Sequence, residues 1–303
     1  MPSKKGRFCC VFGAILGVSI FTSNSLAGPP PVITVQPTNQ TVLFGDTSTI
    51  SVSVTSGTAL KYQWYFNGAL ITGATNFSYT RSNVQFTNAG PCYVSVVNAY
   101  GTVNSTNAIL NVLPPTGYTL SSPWVTADIG VTGLTGSAYT TSNIFTVNGS
   151  GASMAGVTAD QYRYVYQTML GDGSIVARIT GQSGTSINGN AGIMIRETTA
   201  TGSRYMAAIR QGNGVMISRS RASTGGATTS LTGPTLMLPN YWLKLVRSGN
   251  NIAASTSTNG STWVAVQTTS SVMATNITFG LMVTSGNTNV LDSDKFDNIT
   301  AVP

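Results

Sequence analysis

The sequence predicts an all-β protein with two β-sandwiches in succession, a smaller one followed by a larger one. Short runs in which apolar and polar residues alternate recur along the chain between turn sequences, as expected for β-strands. No segment keeps the 3.6-residue apolar period of an amphipathic helix. Only 8% of the 303 residues are charged, and Thr, Ser, Asn and Gly are abundant. This composition is typical of exported all-β proteins.

Residues 1–27 have the features of an export signal. Three basic residues among the first seven precede an apolar run over 8–21, and small residues follow at Ser25 and Ala27. The apolar run is shorter than the ~20 residues that cross a bilayer, although an uncleaved signal-anchor is the alternative interpretation. We expect cleavage before Gly28, and a mature protein that is secreted or held at the cell surface or in the periplasm.

Removal of the signal changes both the charge and the cysteine content. Of 15 basic residues three would be lost, so 12 basic and 8 acidic residues give a net charge of +4. The basic residues are scattered, so we expect no nucleic-acid partner, and no membrane partner once the signal is cleaved. Cys9 and Cys10 are lost as well, which leaves Cys92 alone and excludes a disulfide framework.

Residues 32–113 form the predicted first domain, and 114–119 the linker after it. The run TISVSVT (49–55) alternates apolar and polar side chains, as a half-buried strand does. Asn67-Gly68 is a strong signal for a β-hairpin turn, and the pair of prolines at 114–115 closes the unit. Short strands with regular turns favour a β-sandwich.

Five stretches of this domain resemble immunoglobulin-like domains of bacterial secreted and surface proteins. They are QP (36–37), YQWYFNG (62–68), ITGAT (71–75), NAG (88–90) and VSVVNAYG (94–101). The resemblance covers residues 32–113. It implies a sandwich in which Trp64 is the buried tryptophan, and in which Val52 and Val94 replace the two cysteines that bridge the sheets in antibody domains.

The same resemblance places Cys92 at the position of the corner tyrosine, two residues before the second bridging position. One interpretation is a small, buried apolar side chain, a common role for a free cysteine. The other is a reactive thiol or an intermolecular disulfide. The sequence has no histidine, and no lysine lies close to Cys92 to lower its pKa, which favours the buried side chain.

Residues 120–303 form the predicted second domain. Its candidate strands are separated by Gly-, Asn- and Ser-rich turns and lie at 162–170, 173–180, 191–197, 204–211, 214–221, 241–250, 251–263, 277–285 and 291–302. These strands are too many for one immunoglobulin unit. They suit a jelly-roll of two sheets.

This domain is similar to the concanavalin A-like or laminin-G-like sandwiches, within a poorly characterised secreted subgroup of bacteria. The matching stretches are Trp124, DIG (128–130), FTVNGSG (145–151), GDGSIVARI (171–179), AGIMIRE (191–197), YWLKLVRSGN (241–250), STNGSTW (257–263) and KFDNI (295–299). Asn259-Gly260 stands where the family commonly has Asp-Gly. The resemblance implies a module associated with carbohydrate or with a cell surface.

The residue content argues against most hydrolytic chemistry. Glycosidases usually need two carboxylates that flank the cleaved bond, and the chain has one glutamate, Glu197, and seven aspartates with no such pairing motif. The lack of histidine removes Ser-His-Asp and Cys-His nucleophiles. We therefore expect no catalytic residues, with a polysaccharide lyase that uses Tyr and Arg as the remaining enzymatic alternative.

Two sets of residues are candidates for binding. Asp292, Asp294 and Asp297 carry the oxygen ligands that calcium prefers, so a structural calcium is the one cofactor to consider; a solvated strand edge is the alternative. Alternation along 162–167 places three tyrosines on one face, where sugar rings could pack. The complete predicted glycan site is Tyr162, Tyr164, Tyr166, Arg196, Arg221 and Trp242. The alternative is that the tyrosines form the core side of their strand.

The sequence thus predicts an exported, non-catalytic binding protein. In the first hypothesis the C-terminal sandwich binds a polysaccharide or a cell-surface glycan, and the immunoglobulin-like domain is a spacer. In the second, both domains are structural or adhesive and bind surface proteins. The third is the polysaccharide lyase.

Overall fold

The computed structural model describes residues 28–184 and 186–302. The predicted export signal, residues 1–27, lies outside the described residues. Within them the chain is almost entirely β-strand, with one short 3₁₀ helix at Phe86–Asn88. None of the helices in the part of the chain that the structure describes is long and apolar enough to cross a membrane.

The first ten strands form an N-terminal unit. They are β1 (Val32–Val35), β2 (Gln40–Leu43), β3 (Ser48–Ser51), β4 (Ser53–Thr55), β5 (Lys61–Phe66), β6 (Ala69–Leu70), β7 (Ser78–Arg81), β8 (Gly90–Asn98), β9 (Gly101–Asn104) and β10 (Ala108–Leu113). One sheet has the order β2-β10-β8-β5-β6, with β9 paired to β8, and the pairs β1-β4 and β3-β7 lie outside it. The turn from β5 to β6 has positive φ at Asn67 and Gly68, as the hairpin signal predicts.

Trp64 lies at the centre of this unit and is fully buried. Its core cluster includes Val52, Val94 and Cys92, so aliphatic side chains pack where a disulfide would otherwise lie. The indole N–H donates to the carbonyl of Asn76 at 2.9 Å, which satisfies the one polar atom of the side chain. The predicted role of Trp64 is confirmed.

Fourteen strands form the C-terminal sandwich, which has two seven-stranded sheets. The strands are β11 (Val125–Ile129), β12 (Ser137–Thr141), β13 (Ile144–Gly151), β14 (Tyr162–Leu170), β15 (Gly173–Gln182), β16 (Asn190–Arg196), β17 (Tyr205–Gln211), β18 (Val215–Arg221), β19 (Thr229–Thr235), β20 (Tyr241–Ser248), β21 (Asn251–Ser257), β22 (Val264–Ser270), β23 (Asn276–Thr284) and β24 (Asn287–Val302). Sheet I has the order β11-β14-β23-β16-β17-β18-β19, and sheet II has the order β12-β13-β24-β15-β20-β21-β22.

The main core lies between the two sheets and is built from alternate residues of each strand. Val165, Ile193 and Phe279 reach it from sheet I, and Leu243 and Phe296 reach it from sheet II. The strands predicted at 162–170 and at 241–250 appear as β14 and β20. Strands β11, β12, β13, β19 and β22 were not among the predicted strands; β19 and β22 carry many exposed polar residues at the edges of the two sheets.

The outer face of sheet I is covered by the segment 152–160, which we call the crossing segment. It leaves β13 at a bridge between Ala152 and Gly286 and runs towards the turn between β18 and β19. There the N–H of Thr228 donates to the carbonyl of Val157 at 3.0 Å, and its hydroxyl donates to the carbonyl of Met154 at 2.7 Å. The central strands β16 and β17 of sheet I are therefore buried on both faces.

The two units contact each other through a third apolar cluster. Phe86 and Leu110 of the N-terminal unit are buried in it together with Leu134 and Leu291 of the C-terminal sandwich. The ring of Tyr139 packs 6.3 Å from that of Phe86, centroid to centroid. The two units are therefore connected by direct side-chain packing as well as by the predicted linker, residues 114–119.

Candidate functional site

The structure buries most of the predicted glycan site. Tyr162, Tyr164, Arg196 and Arg221 have no exposed surface, and Tyr166 is half-buried and stacks on Tyr164 with 5.0 Å between ring centroids. A platform for sugar rings needs exposed ring faces, so the prediction is wrong for the four fully buried residues. Alternation placed the three tyrosines on one face correctly, but that face lies beneath the crossing segment.

The buried group is an ion-pair network that fastens the crossing segment to sheet I. Asp160, at the end of the segment, accepts hydrogen bonds from Arg196 at 2.5 Å and from Arg221 at 2.7 Å. Arg196 also donates to the hydroxyl of Tyr162 at 2.7 Å, and both guanidinium groups lie over the ring of Tyr205. Buried charges need such partners to offset desolvation, so these arginines have a structural role.

Burial also makes the tyrosines poor acid–base groups. Desolvation raises the pKa of Tyr162 well above its usual range, and it raises that of Tyr164 as well. Both phenols stay protonated at neutral pH. The lyase hypothesis therefore finds no tyrosine base among these residues.

The three aspartates of the predicted calcium site do not converge, which corrects that prediction. Asp292 and Asp294 are buried on the side of β24 that carries Phe296 into the core, whereas Asp297 lies on the other side, bonded to Arg178. No group of three or more His, Cys, Asp or Glu side chains suitable for a metal ion occurs within 28–184 and 186–302. A bulge at Asn298, which has positive φ, accompanies the change in register of β24.

Asp292 and Asp294 are unusual because they are buried without a basic ion-pair partner among the described residues. Desolvation raises the pKa of Asp292 to about 6 and that of Asp294 well above its usual range, the latter also through repulsion from Asp292. The N–H of Ser183 donates to Asp294 at 3.0 Å. One oxygen of each carboxyl has no hydrogen-bond partner among the described residues.

Trp242 is the one predicted glycan residue that lies on an open surface, the outer face of sheet II. It lines a shallow depression of about 510 Å³, which we call the tryptophan face. The residues that line this depression are Val176, Trp242, Lys244, Gly260, Trp263, Asn298, Ile299 and Thr300. Both tryptophans are half-buried, and the turn at Gly260, with φ of +73°, packs closely against the ring of Trp242.

The charged groups of this face are held in place by pairing. Arg178 forms a two-pronged ion pair with Asp297, with N–O distances of 2.7 and 2.5 Å, and its guanidinium carbon lies 5.4 Å from the ring centroid of Trp242. The hydrogen bonds from Arg178 lower the pKa of Asp297, so the carboxylate stays ionised. Lys244 places its Nζ 4.4 Å from the ring centroid of Trp263.

Lys244 and Trp263 of this face and the adjoining Arg178 were not predicted as site residues from the sequence, and Asp297 was predicted only as a calcium ligand. Lys244 could have been found, because it follows Trp242 by two residues and alternation puts it on the same side. Trp263 lies within a family stretch but was not assigned a role. The pairing of Arg178 with Asp297 spans 119 residues along the chain, and no local pattern reports such a contact.

Comparison with known proteins gives little beyond the fold. No family model matches the sequence, and no curated protein is significantly similar to it. Among solved structures, the chain is similar to a functionally unknown protein from Saccharomyces cerevisiae at 14% identity, with a TM-score of 0.45, over 55% of this chain and 92% of that chain.

Smaller parts of the chain match immunoglobulin-like domains. Titin domain M4 is 20% identical with a TM-score of 0.27, over 28% of this chain and 98% of that chain. The tandem Ig repeats of Dlar are 20% identical with a TM-score of 0.27, over 29% of this chain and 50% of that chain. The strands and sheets described above define the class of the molecule, an all-β protein of two sandwiches.

Proposed function

We propose that the chain is an exported, non-catalytic carbohydrate-binding protein that contacts its glycan through the tryptophan face. The N-terminal unit serves as a spacer that packs on the C-terminal sandwich. The observation that carries this proposal is the juxtaposition of Trp242 and Trp263 with ordered polar groups in one open depression.

The chemistry of the face suits sugars. The C–H faces of sugar rings pack on aromatic surfaces, while hydroxyl groups need donors and acceptors at fixed positions. Arg178 and Asp297 supply both kinds of group, and the pair holds them in a planar, two-pronged arrangement. Asn298 and Thr300 add exposed polar side chains.

We also propose a family for each of the two units. We take the C-terminal sandwich to be a concanavalin A-like or laminin-G-like jelly-roll from a secreted bacterial subgroup, and the N-terminal unit to be immunoglobulin-like. Two stacked antiparallel seven-stranded sheets support the first assignment. The buried Trp64 between Val52 and Val94 supports the second. The sequence features of residues 1–27 support export of the protein from the cytoplasm as part of this proposal.

The proposed function is non-catalytic because the residues of the tryptophan face do not include an acid–base pair. Asp297 is its one carboxylate, and that group is bound to Arg178. A glycosidase would need a second carboxylate across the sugar. Binding without turnover is the activity that these residues suit.

Retention on polysaccharides tests the proposal. The chain beginning at Gly28 is applied to a panel of insoluble neutral and acidic polysaccharides, and the supernatant is assayed for released unsaturated sugar. Trp242→Ala and Trp263→Ala should each lose retention and keep the wild-type circular dichroism spectrum. Phe77→Ala is the matched control, since Phe77 is an aromatic residue of the N-terminal unit with 60% exposure.

Each outcome separates the hypotheses. Retention that both tryptophan variants lose and the control keeps supports glycan binding at this face. Release of unsaturated sugar identifies a lyase instead. If no polysaccharide retains the protein, glycan binding is refuted and the adhesive hypothesis, in which the partners are proteins, is favoured instead.

A further inference from the structure

We infer that the ligand of the tryptophan face is an acidic polysaccharide, whose carboxylate or sulfate groups are bound by Lys244 and Lys295. This inference rests on the proposed function and names the class of glycan. It follows from the distribution of charge on the outer face of sheet II.

Almost all carboxylates of sheet II are buried away from that face. Its seven strands contain three acidic residues, all on β24. Asp292 and Asp294 are buried towards the core, and Asp297 is bonded to Arg178. A glycan on this face therefore meets no unpaired carboxylate from the strands beneath it.

The basic residues of sheet II are distributed differently. Arg247 is buried and donates to backbone carbonyls, but Arg178, Lys244 and Lys295 lie on the outer face. With Asp297 the face has three positive groups and one negative group, so its net charge is 3 − 1 = +2. Neither lysine has an acidic partner within 4 Å among the described side chains.

Lys244 lies beside Trp242 and contacts the ring of Trp263, whereas Lys295 lies on β24 and lines a separate depression next to the N-terminal unit. Arg178 is opposite both Trp242 and Asp297 in the sheet, and Val176 is opposite Lys244. Lys295 is opposite Gly181, five residues further along β15 than Val176. At ~3.3 Å per residue along a strand and ~4.8 Å between strands, the lysines are about 19 Å apart. This spacing suits a polymer with repeated negative charges and exceeds what one monosaccharide would span.

The lysines are suited to anion capture in different ways. The ring of Trp263 holds the Nζ of Lys244 above it, which orders the ammonium group and leaves its other sides free to donate. Lys295 is exposed and acts as a mobile point charge. The nearest other carboxylate along β15 is Asp172, four residues beyond Val176, about 13 Å at ~3.3 Å per residue. It does not offset either lysine at close range.

The experiment compares polymers that differ only in charge. Binding of the chain from Gly28 is measured by titration calorimetry against polygalacturonate and its carboxyl-reduced form, against alginate and its carboxyl-reduced form, and against dextran sulfate and dextran. We expect at least one charged polymer to bind tenfold or more tightly than its neutral counterpart. We also expect its affinity to fall as salt rises from 50 to 300 mM, about the range over which exposed charges become screened.

Charge-removing variants locate the effect. Lys244→Gln with Lys295→Gln should weaken binding of the charged polymer at least tenfold and flatten its salt dependence. Lys61→Gln is the control, because Lys61 is an exposed lysine on β5, away from this face. Trp242→Ala should abolish binding of both polymers of a pair.

The results distinguish the inference from the proposed function. Equal binding of charged and neutral polymers that Trp242→Ala removes would overturn the inference and leave glycan binding intact. The same conclusion follows if the lysine variant binds the charged polymer like the wild type. Charged-polymer binding that Lys61→Gln reduces as strongly would show a diffuse charge effect and overturn it too. If no charged polymer binds, the inference is overturned. Binding of the neutral polymers then tests the proposed function by itself.

Discussion

Replacement of Asp292 by asparagine should stabilise the C-terminal sandwich at neutral pH. The carboxyl group lies against the backbone of Gly184 and Gly189, and within 28–184 and 186–302 one of its oxygens has no hydrogen-bond partner. Burial raises its pKa to about 6, so the folded protein prefers the neutral acid. An asparagine side chain has the shape of that neutral form and never ionises.

The sign of the pH dependence follows from proton linkage. The folded state holds the proton of Asp292 more tightly than the unfolded chain, whose carboxyl has a pKa near 3.8. The stabilisation is therefore complete below about pH 4 and is lost as the pH rises through about 6. Asp294, whose pKa is also raised, acts in the same direction. Asp297 acts in the opposite direction, and only at lower pH, because its pKa is lowered.

The magnitude comes from the size of the pKa change. A rise from 3.8 to about 6 corresponds to about 3 kcal/mol, at ~1.36 kcal/mol per pKa unit. We expect the free energy of unfolding of the wild type to fall by about that amount between pH 4 and pH 6.5. Asp292→Asn should remove the part of this slope that Asp292 contributes, keep the part due to Asp294, and be more stable than the wild type at pH 7.

Urea denaturation between pH 4 and pH 7.5 measures these values, with hydrogen exchange of the peptides that cover β24 as a local readout. Asp172→Asn is the control, because Asp172 is an exposed turn carboxylate bonded to the N–H of Gly249 at 2.7 Å. A wild type whose stability is flat over this range, or an Asp292→Asn variant that keeps the wild-type slope, would refute the reasoning.

Four further predictions concern the two cores and the export signal. Trp64→Ala should destabilise the N-terminal unit by ~3–5 kcal/mol, measured by chemical denaturation, because it empties the centre of a small core. Cys92→Ser should lower the free energy of unfolding by ~1–2 kcal/mol and leave the oligomeric state unchanged. Burial raises the pKa of Cys92 to about 11, so a thiol reagent at pH 8 should not modify the native wild type. Rapid labelling would contradict this prediction. Tyr164→Ala should lower the free energy of unfolding by ~3–5 kcal/mol. A variant with the wild-type melting temperature would instead support the hypothesis that Tyr164 belongs to an exposed sugar-binding platform. Mass spectrometry of the exported protein should give an N-terminus near Gly28, which an intact segment 8–21 would disprove.

The sequence by itself determined the positions of most strands. Alternation has a period of two residues in any strand, so the pattern that predicts 162–170 or 241–250 depends only on local spacing. The resemblance to immunoglobulin-like domains implied the centre of the N-terminal core, because it assigns Trp64 to the position of the buried tryptophan. Trp64 and Cys92 are both buried as that reasoning requires.

Only the tertiary structure decided what covers each face. Tyr164 and Val165 project from opposite sides of β14, and both are fully buried, one beneath the crossing segment and one against sheet II. Alternation reports that two residues share a face, but it contains no information about whether solvent or another segment lies above them. For this reason the predicted tyrosine platform failed.

The assembly of the tryptophan face has the same origin. Arg178 meets Asp297 because β15 and β24 are neighbours in sheet II, although they are far apart along the chain. Asp294 points inward and Asp297 outward because an odd number of positions separates them along β24, and the packing of sheet II on sheet I decides which of the two faces is buried. Strand order and bulges depend on contacts distant in sequence, and these contacts decide which charges are buried and which meet a ligand.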